Sequence, residues 1–429
     1  MSTEFTVMLI VLVAGFLLRT PIGFTMLSGG MVYMLVGGGD LGNVAQVVMG
    51  GFYSKFILLA IPLFIFGAEL MNVSRIAERL FTLAHSTVGG MRGGLAQVDV
   101  VTSGVFSGMS GSAMADASGT GKMVTKAQVE AGYRPGFACA ASAASATLGG
   151  VIPPSITMVI YAYLSGTSVG MLFAAGILPG VVIALFLMGL IGFLARRQDF
   201  PKPGWQGFGH VGRSFIRAAP ALLTVVILLG GIYSGAFTPT EAAGVAALYA
   251  LILGTAYGLR SPRRIYQVLR TASRQTASTC VVLAGGFIVS YAVASEGVGA
   301  RIAMGLLEVS TNAIVLLLIV NVVFLLLGMV LDTMVLLLVM IPIVLPALLT
   351  AGVDPVHLGV VITFNIMVGL ATPPFGMLLF ILSNQTRTPL AEIIREILPF
   401  IAVLIAALLV LTLWSDISLL LPRLLGYGM

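Results

Sequence analysis

Charge is scarce in this chain. Only 9% of its 429 residues are Asp, Glu, Lys or Arg, against about a quarter in an ordinary soluble domain. A water-facing surface cannot be built from so little, which excludes soluble enzymes, nucleic-acid binders and disordered proteins. Cysteine is nearly absent as well. Cys139 and Cys280 lie in apolar stretches without a C-x-x-C partner, so no disulfide framework is implied. His85, His210 and His357 are far apart and lack metal-ligand spacing. No H-E-x-x-H and no G-x-S-x-G occurs. The stretch SGTGKM (118–123) resembles a phosphate-binding loop, but Asp116 stands where its first glycine belongs and Met123 where Ser or Thr belongs. Residues 37–42 fit G-x-G-x-x-G, yet they end an apolar run instead of following a strand. With no ATP site, any pumping draws on an ion gradient. Lys and Arg are also missing from 93–121 and 302–386. An anion held there would rest on hydroxyls and on the positive ends of half-helices.

What is abundant is apolar. Hydrophobic residues make up 58% of the chain and mean hydropathy is +1.08, which leaves a polytopic membrane protein. At ~20 residues per helical span the chain crosses a bilayer about a dozen times at most. Apolar runs at 5–18, 20–36, 47–66, 136–164, 170–195, 218–235, 239–258, 276–294, 358–384 and 397–421 predict full spans. The first begins without a basic leader and reads as a retained span. Two further stretches, 93–118 and 312–349, read as re-entrant hairpins. The first is apolar but rich in Gly and Ser; the second is too long for one crossing and too short for two with a loop. Residues 75–85 read as an amphipathic helix in the inner interface. With the N-terminus outside, all of the 22 basic residues except Lys55, Arg301 and Arg423 fall on the inner side, as the positive-inside rule requires.

The chain also repeats itself. Gly108–Met109 recurs as Gly328–Met329, Ala131–Gly132 and Pro135 as Ala351–Gly352 and Pro355, and Pro153–Pro154 as Pro373–Pro374, always 220 residues on. The first proline pair sits on a span running outward and the second on one running inward, so the repeats are inverted. Inverted repeats with helices interrupted at matching places point to a secondary transporter with a site at the repeat interface. A Pro-Pro pair removes two N–H donors, and the freed carbonyls need another partner inside a membrane. A hard cation such as Na⁺ prefers such oxygens. The first hairpin and its partner span offer Ser103, Ser107, Ser110, Ser112, Asp116, Ser142, Ser145, Thr147 and Ser155. The second pair offers Asp332, Thr333, Thr363, Asn365 and Thr372. Asp116 and Asp332 either ligate directly or support the hairpin tips. Asp99 reads as an acid near the interface or capping a half-helix. The 52 glycines suit close backbone approach. A proton-coupled organic-anion transporter of the same architecture is the alternative to Na⁺ coupling, and a channel, or an intramembrane enzyme using Ser110 or Asp116, competes with the transporter. The unlike hairpins disfavour a symmetric filter, and no base at a recognisable spacing supports an enzyme.

The segments IPLFIFGAELM (61–71), SGMSGSAMADASG (107–119), GGVIPPSITMVIYA (149–162), FTPTEAAGVAALYA (237–250), MIPIVLP (340–346) and GLATPPFGMLLF (369–380) resemble the large membrane subunit of tripartite ATP-independent periplasmic (TRAP) transporters, along nearly the whole chain. The resemblance implies an all-α polytopic elevator-type transporter of the bacterial inner membrane, not an enzyme. It implies Na⁺ coupling, a small four-helix membrane subunit as partner, and a soluble periplasmic binding protein that delivers a small organic acid. No nucleic acid is implied. One Na⁺ site would take Ser110, Asp116, Gly149, Ile152 and Pro154, several through backbone carbonyls. A second would take Gly328, Gly369 and Thr372 with Thr333 or Asp332. Ser112, Ala113 and Pro373 would border the substrate. The expected organisation is N-terminal scaffold and arm (1–92), first transport repeat (93–195), scaffold and connectors (196–311), second transport repeat (312–396) and a C-terminal span (397–429).

Overall fold

Long apolar stretches leave the backbone to satisfy its own hydrogen bonds, and in a membrane only helices do so within one segment. The computed structural model is accordingly helical, with no strand among the described residues, which are 2–54, 56–74, 76–197, 200 and 207–426. Lys55, Arg75 and Lys202, which enter the charge count above, lie outside them.

The first half comprises α1 (Thr3–Leu17), α2 (Ile22–Val36), α3 (Leu41–Tyr53), α4 (Ala60–Val73), α5 (Ile76–Val88), α6 (Gly94–Ser110), the short α7 (Ala113–Asp116), α8 (Lys122–Glu130), α9 (Pro135–Ala146), α10 (Ile156–Ser165) and α11 (Val169–Arg197). The second comprises α12 (Phe208–Tyr233), α13 (Pro239–Ala256), α14 (Pro262–Ser295), α15 (Val298–Val309), α16 (Ala313–Gly328), α17 (Thr333–Thr350), α18 (Pro355–Leu370), α19 (Met377–Thr386), α20 (Leu390–Leu413) and α21 (Ser415–Leu424). Among the described residues, seven segments are long and apolar enough to cross a membrane: α4 with the turn before it, α11, α12, α13, α14, α17 and α20.

Local chemistry sets the boundaries. Asp40 caps α3 and Asp354 caps α18 by accepting backbone N–H groups. Thr238 and Glu241 close a capping box on α13, and proline opens α9, α13, α14 and α18, where its missing N–H costs nothing. Several predicted spans are redrawn. The run at 47–66 is two helices, because α3 ends at Tyr53 and a 3₁₀ turn (Phe56–Leu59) leads into α4. The span at 276–294 is the end of a 34-residue helix, whose arginine-bearing first half is amphipathic instead of loop. The last span stops at Leu413, and α21 starts after a break at Trp414. The predicted amphipathic helix is α5, with Ile76, Leu80 and Ala84 buried and Glu78 exposed.

The centre is built from small residues. In α9 every residue from Gly136 to Ala146 is buried, and α9 packs on α6 and α20. Helix backbones approach closely where Gly, Ala and Ser face one another. All but the first residue of α18 is buried too. It meets α10 where Tyr161 lies against Gly359, at which an added Cβ would come within 2.5 Å of the ring. The Tyr161 hydroxyl donates to the Pro355 carbonyl at 2.7 Å. Tyr161→Phe keeps the packing and removes this added bond to a carbonyl at the start of α18, so we expect a loss of ~0.5–1.5 kcal/mol, read as a lower Tm for the purified protein with unchanged uptake at moderate temperature.

Candidate functional site

Helix α9 stops at Ala146, continues as a 3₁₀ turn to Gly150 and gives way to non-helical backbone until α10. The prolines cause the break. Pro153 and Pro154, joined by a cis peptide, cannot donate to the carbonyls of Gly149 and Gly150 four residues back. The Ser155 hydroxyl donates to the Gly150 carbonyl at 2.6 Å, which leaves the Gly149 carbonyl as the released acceptor. The turn between α6 and α7 is pressed into this gap. Gly111 has φ +64°, a conformation that glycine adopts freely, and its carbonyl accepts from Ile156 N–H at 3.1 Å. A Cβ at Gly149 would lie 2.8 Å from the Ala113 nitrogen, and one at Gly111 2.6 Å from the Pro154 oxygen. Ser110, Ser112, Ala113, Gly149 and Pro154 therefore converge. The Ile152 side chain lodges against Gly180 and Gly104, so only its backbone is free for a ligand. Asp116, the last residue of α7, is fully buried. One carboxylate oxygen accepts from the Thr120 hydroxyl, Ser103 lies beside the group, and the other oxygen has no protein partner. The hydroxyls of Ser103, Ser107, Ser110 and Ser145 are likewise buried without a partner.

The second break lies between α18 and α19. Pro373 and Pro374 are again joined by a cis peptide. Here Thr372 N–H donates to Gly369 O at 3.0 Å and the Thr372 hydroxyl to Val368 O at 2.6 Å, so of the two carbonyls that these prolines leave without a helical donor, that of Gly369 has a partner in the protein. The turn between α16 and α17 packs on it. A Cβ at Gly369 would lie 2.8 Å from the Gly328 carbonyl carbon. Asp332 is the N-cap of α17, its Oδ1 accepting from Met334 N–H at 2.9 Å. Thr333 next to it has a buried, unpartnered hydroxyl, as do Thr363 Oγ1 and Asn365 Oδ1 on α18. Asn365 donates to Asn321 O at 2.8 Å, and Asn321 in turn to Thr412 Oγ1 at 2.8 Å. Asn321 was missed in the sequence reading, although it is the lone polar side chain in the apolar run of α16.

The first break meets the helix that leads into the second. A Cβ at Gly150 would lie 2.2 Å from the Met367 sulfur, so α18 crosses the first break directly. Helix α19 packs on α7 and on the π-helical turn (Ala117–Gly121) that follows it, and Gln385 Nε2 donates to Ser118 O at 3.3 Å. Pro373 is part-exposed beside an exposed Phe375. Phe375 lines an open cavity of about 510 Å³ with Val330 and Arg19. Ser112 and Ala113 are not among that cavity's walls. Asp99 differs from expectation. It sits inside α6 and is fully buried, neither capping a helix nor near a surface. No group of three or more His, Cys, Asp or Glu able to hold a metal occurs among the described residues.

Comparison with known proteins gives the arrangement its context. Residues 7–417 match the family described as "Tripartite ATP-independent periplasmic transporter, DctM component". The sialic acid TRAP transporter large permease protein SiaM of Vibrio cholerae is 37% identical over 410 residues, covering 95% of this chain and 96% of that protein. The C4-dicarboxylate large permease DctM of Pseudomonas aeruginosa is 36% identical over 86% of this chain and 87% of its own. The ectoine/5-hydroxyectoine large permease UehC of Ruegeria pomeroyi is 32% identical over 97% of each. The crystal structure of the Alcanivorax borkumensis YdaH transporter superposes with a TM-score of 0.60 over 91% of this chain and 89% of that one. At 14% identity it speaks to the fold alone. These relatives are permease proteins and not enzymes. With a family match along nearly its whole length, the chain belongs to the DctM component of the tripartite ATP-independent periplasmic transporters, a multi-pass permease family of the bacterial inner membrane.

Proposed function

We propose that the chain is the transporting subunit of a Na⁺-coupled importer of a small organic acid. It receives that acid from a soluble periplasmic binding protein and works beside a small four-helix membrane subunit. The named cargoes of its relatives, sialic acid and C4-dicarboxylates, support the substrate class. The observation that carries the Na⁺ reading is the pair of helix breaks, each pressed backbone to backbone against a turn and each edged by buried oxygens without partners. Unsatisfied buried oxygens call for an explanation, and an ion is one. All the available donors are oxygens, the set that a hard cation takes.

Ser110, Asp116 and the carbonyls of Gly149, Ile152 and Pro154 would hold one Na⁺ as co-substrate. Thr333 and the backbone of Gly328, Gly369 and Thr372 would hold the second, with Asp332 fixing the turn as a helix cap. Ser112, Ala113 and Pro373 would face the acid. Residues 93–195 and 312–396 would form the inverted repeats of the moving part. The flanking stretches 1–92 and 196–311, together with 397–429, would provide the frame for an elevator motion.

The test is Na⁺-dependent uptake in vesicles. Ser110→Ala and Thr333→Ala each remove one neutral ligand, worth ~0.5–1.5 kcal/mol, so the half-saturating Na⁺ concentration is expected to rise about threefold to tenfold. Unchanged Na⁺ titration curves in both variants would refute these sites. Uptake that proceeds equally without any binding protein would refute the delivery step.

A further inference from the structure

The two breaks leave one deep acid unused. Asp99 lies within α6 at 0% exposure. Its Oδ2 accepts from the Ser142 hydroxyl of α9 at 2.5 Å and from the Gln128 amide of α8 at 3.0 Å. Thr125 Oγ1 of α8 stands 2.9 Å from Ser142 Oγ. Gln128, Thr125 and Ser142 are all at 0% exposure too. Asp99 Oδ1 has no partner, and neither has Gln128 Oε1 or the hydroxyl of Thr102, one turn further along α6.

The charge of this group is unanswered. Lys and Arg are absent from 93–121. On α8, Lys122 and Lys126 are exposed, and Lys126 pairs with Glu130 at 3.7 Å. Arg134, just before α9, pairs with Glu396 at 2.9 Å. The nearest charged group acting on Asp99 is Asp116, of the same sign. A buried carboxylate facing only neutral donors costs several kcal/mol. An ion at the first break, with Asp116 among its ligands, would answer one of these two carboxyl groups and leave the other without a counter-charge.

We propose that Asp99, Gln128 and Thr102 form a third alkali-cation site, separate from both breaks. The site is made of a carboxylate oxygen, an amide oxygen and a hydroxyl, which suits a hard monovalent cation. It joins α6, α8 and α9, the two arms of the first hairpin and the broken helix behind them. An ion there ties those three elements together, in addition to the ions at the gaps. The site goes beyond the two-ion reading and stands on different residues.

The test is the thermal stability of the purified full-length protein, titrated with Na⁺ against choline at constant ionic strength. Each site contributes its own mass-action term. Asp99→Asn keeps the shape and is expected to lose roughly a third of the Na⁺-induced rise in Tm, three equal sites being taken. In a Ser110→Ala/Thr333→Ala background, Na⁺ still raises Tm, and adding Asp99→Asn cuts that rise further, leaving only the response at the higher Na⁺ concentrations that the weakened break sites need. Gln128→Ala serves as the second variant and shifts the Na⁺ titration to higher concentration. A Na⁺ response identical to that of the parent in both Asp99→Asn and Gln128→Ala overturns the third site and leaves the two-ion reading standing. A Na⁺ response lost through Asp99→Asn but indifferent to Ser110→Ala and Thr333→Ala supports the third site and removes the other two. Stabilisation by acid alone, insensitive to Na⁺ and lost in Asp99→Asn, assigns a proton and overturns the alkali ion.

Discussion

Replacing Na⁺ by choline is expected to reduce uptake to background, even with a loaded binding protein and an inside-negative potential. An organic anion entering a negative interior moves uphill, and each charge costs ~2.3 kcal/mol per 100 mV. Two Na⁺ accompanying a monoanion reverse the sign, because the complex then carries net positive charge inward. If Na⁺ fills the two breaks as proposed, its removal also takes the partner from the Ser110 and Thr333 hydroxyls and the free oxygen of Asp116, and from the Gly149 carbonyl. Each such group, left bare in a dry site, costs on the order of 1–3 kcal/mol, and a bare carboxylate costs more. The turns at 111–113 and 329–332 would then have less to hold them against the breaks. Uptake that persists in Na⁺-free buffer, driven by a proton gradient, would overturn Na⁺ coupling and point to the same architecture run on protons.

A second large effect is expected from one methyl group. Gly149→Ala places a Cβ 2.8 Å from the Ala113 nitrogen, and Gly369→Ala places one 2.8 Å from the Gly328 carbonyl carbon. Both neighbours are backbone, so no side chain can swing away. Overpacking of this kind costs about 1–3 kcal/mol, and here it falls on the contact between turn and break. Either variant is expected to lose Na⁺-driven uptake by tenfold or more while remaining folded and membrane-inserted. Gly189→Ala is the matched control. It lies in α11 with nothing within 4 Å of the new methyl, and uptake is expected to stay near that of the parent. Wild-type rates in both Gly149→Ala and Gly369→Ala would show that the close approach of turn and break is not part of transport.

Hydropathy located most of the membrane-crossing helices because burial in lipid demands long apolar runs. It failed where polarity and length part company. The first half of α14 carries Arg263, Arg264, Arg270 and Arg274, all exposed, and so reads as a loop although it is helix throughout. The break after Tyr53 was hidden because only Ser54 and Lys55 interrupt the apolar run there, too few to end it by hydropathy. The proline pairs were legible, since two missing donors in an apolar run have a unique backbone consequence. The pairing of Gly149 with Ala113 and of Gly369 with Gly328 was not legible from hydropathy, because a glycine does not reveal what approaches it. The partners of Asp99 were hidden for a related reason. Its neighbours Gln128 and Ser142 lie 29 and 43 residues away, and no local pattern links them.

The length of α14 has a mechanical consequence. At 1.5 Å per residue its 34 residues extend ~50 Å, while hydrocarbon accounts for ~30 Å. Some ~20 Å must therefore project beyond the oily layer or be absorbed by a steep tilt. The surplus is the end that bears the four arginines, whose guanidinium groups suit phosphate headgroups and water. Placed in a bilayer, such a helix would stand as a mast with its foot at the headgroup level, its depth set by charge at one end and greasy length at the other.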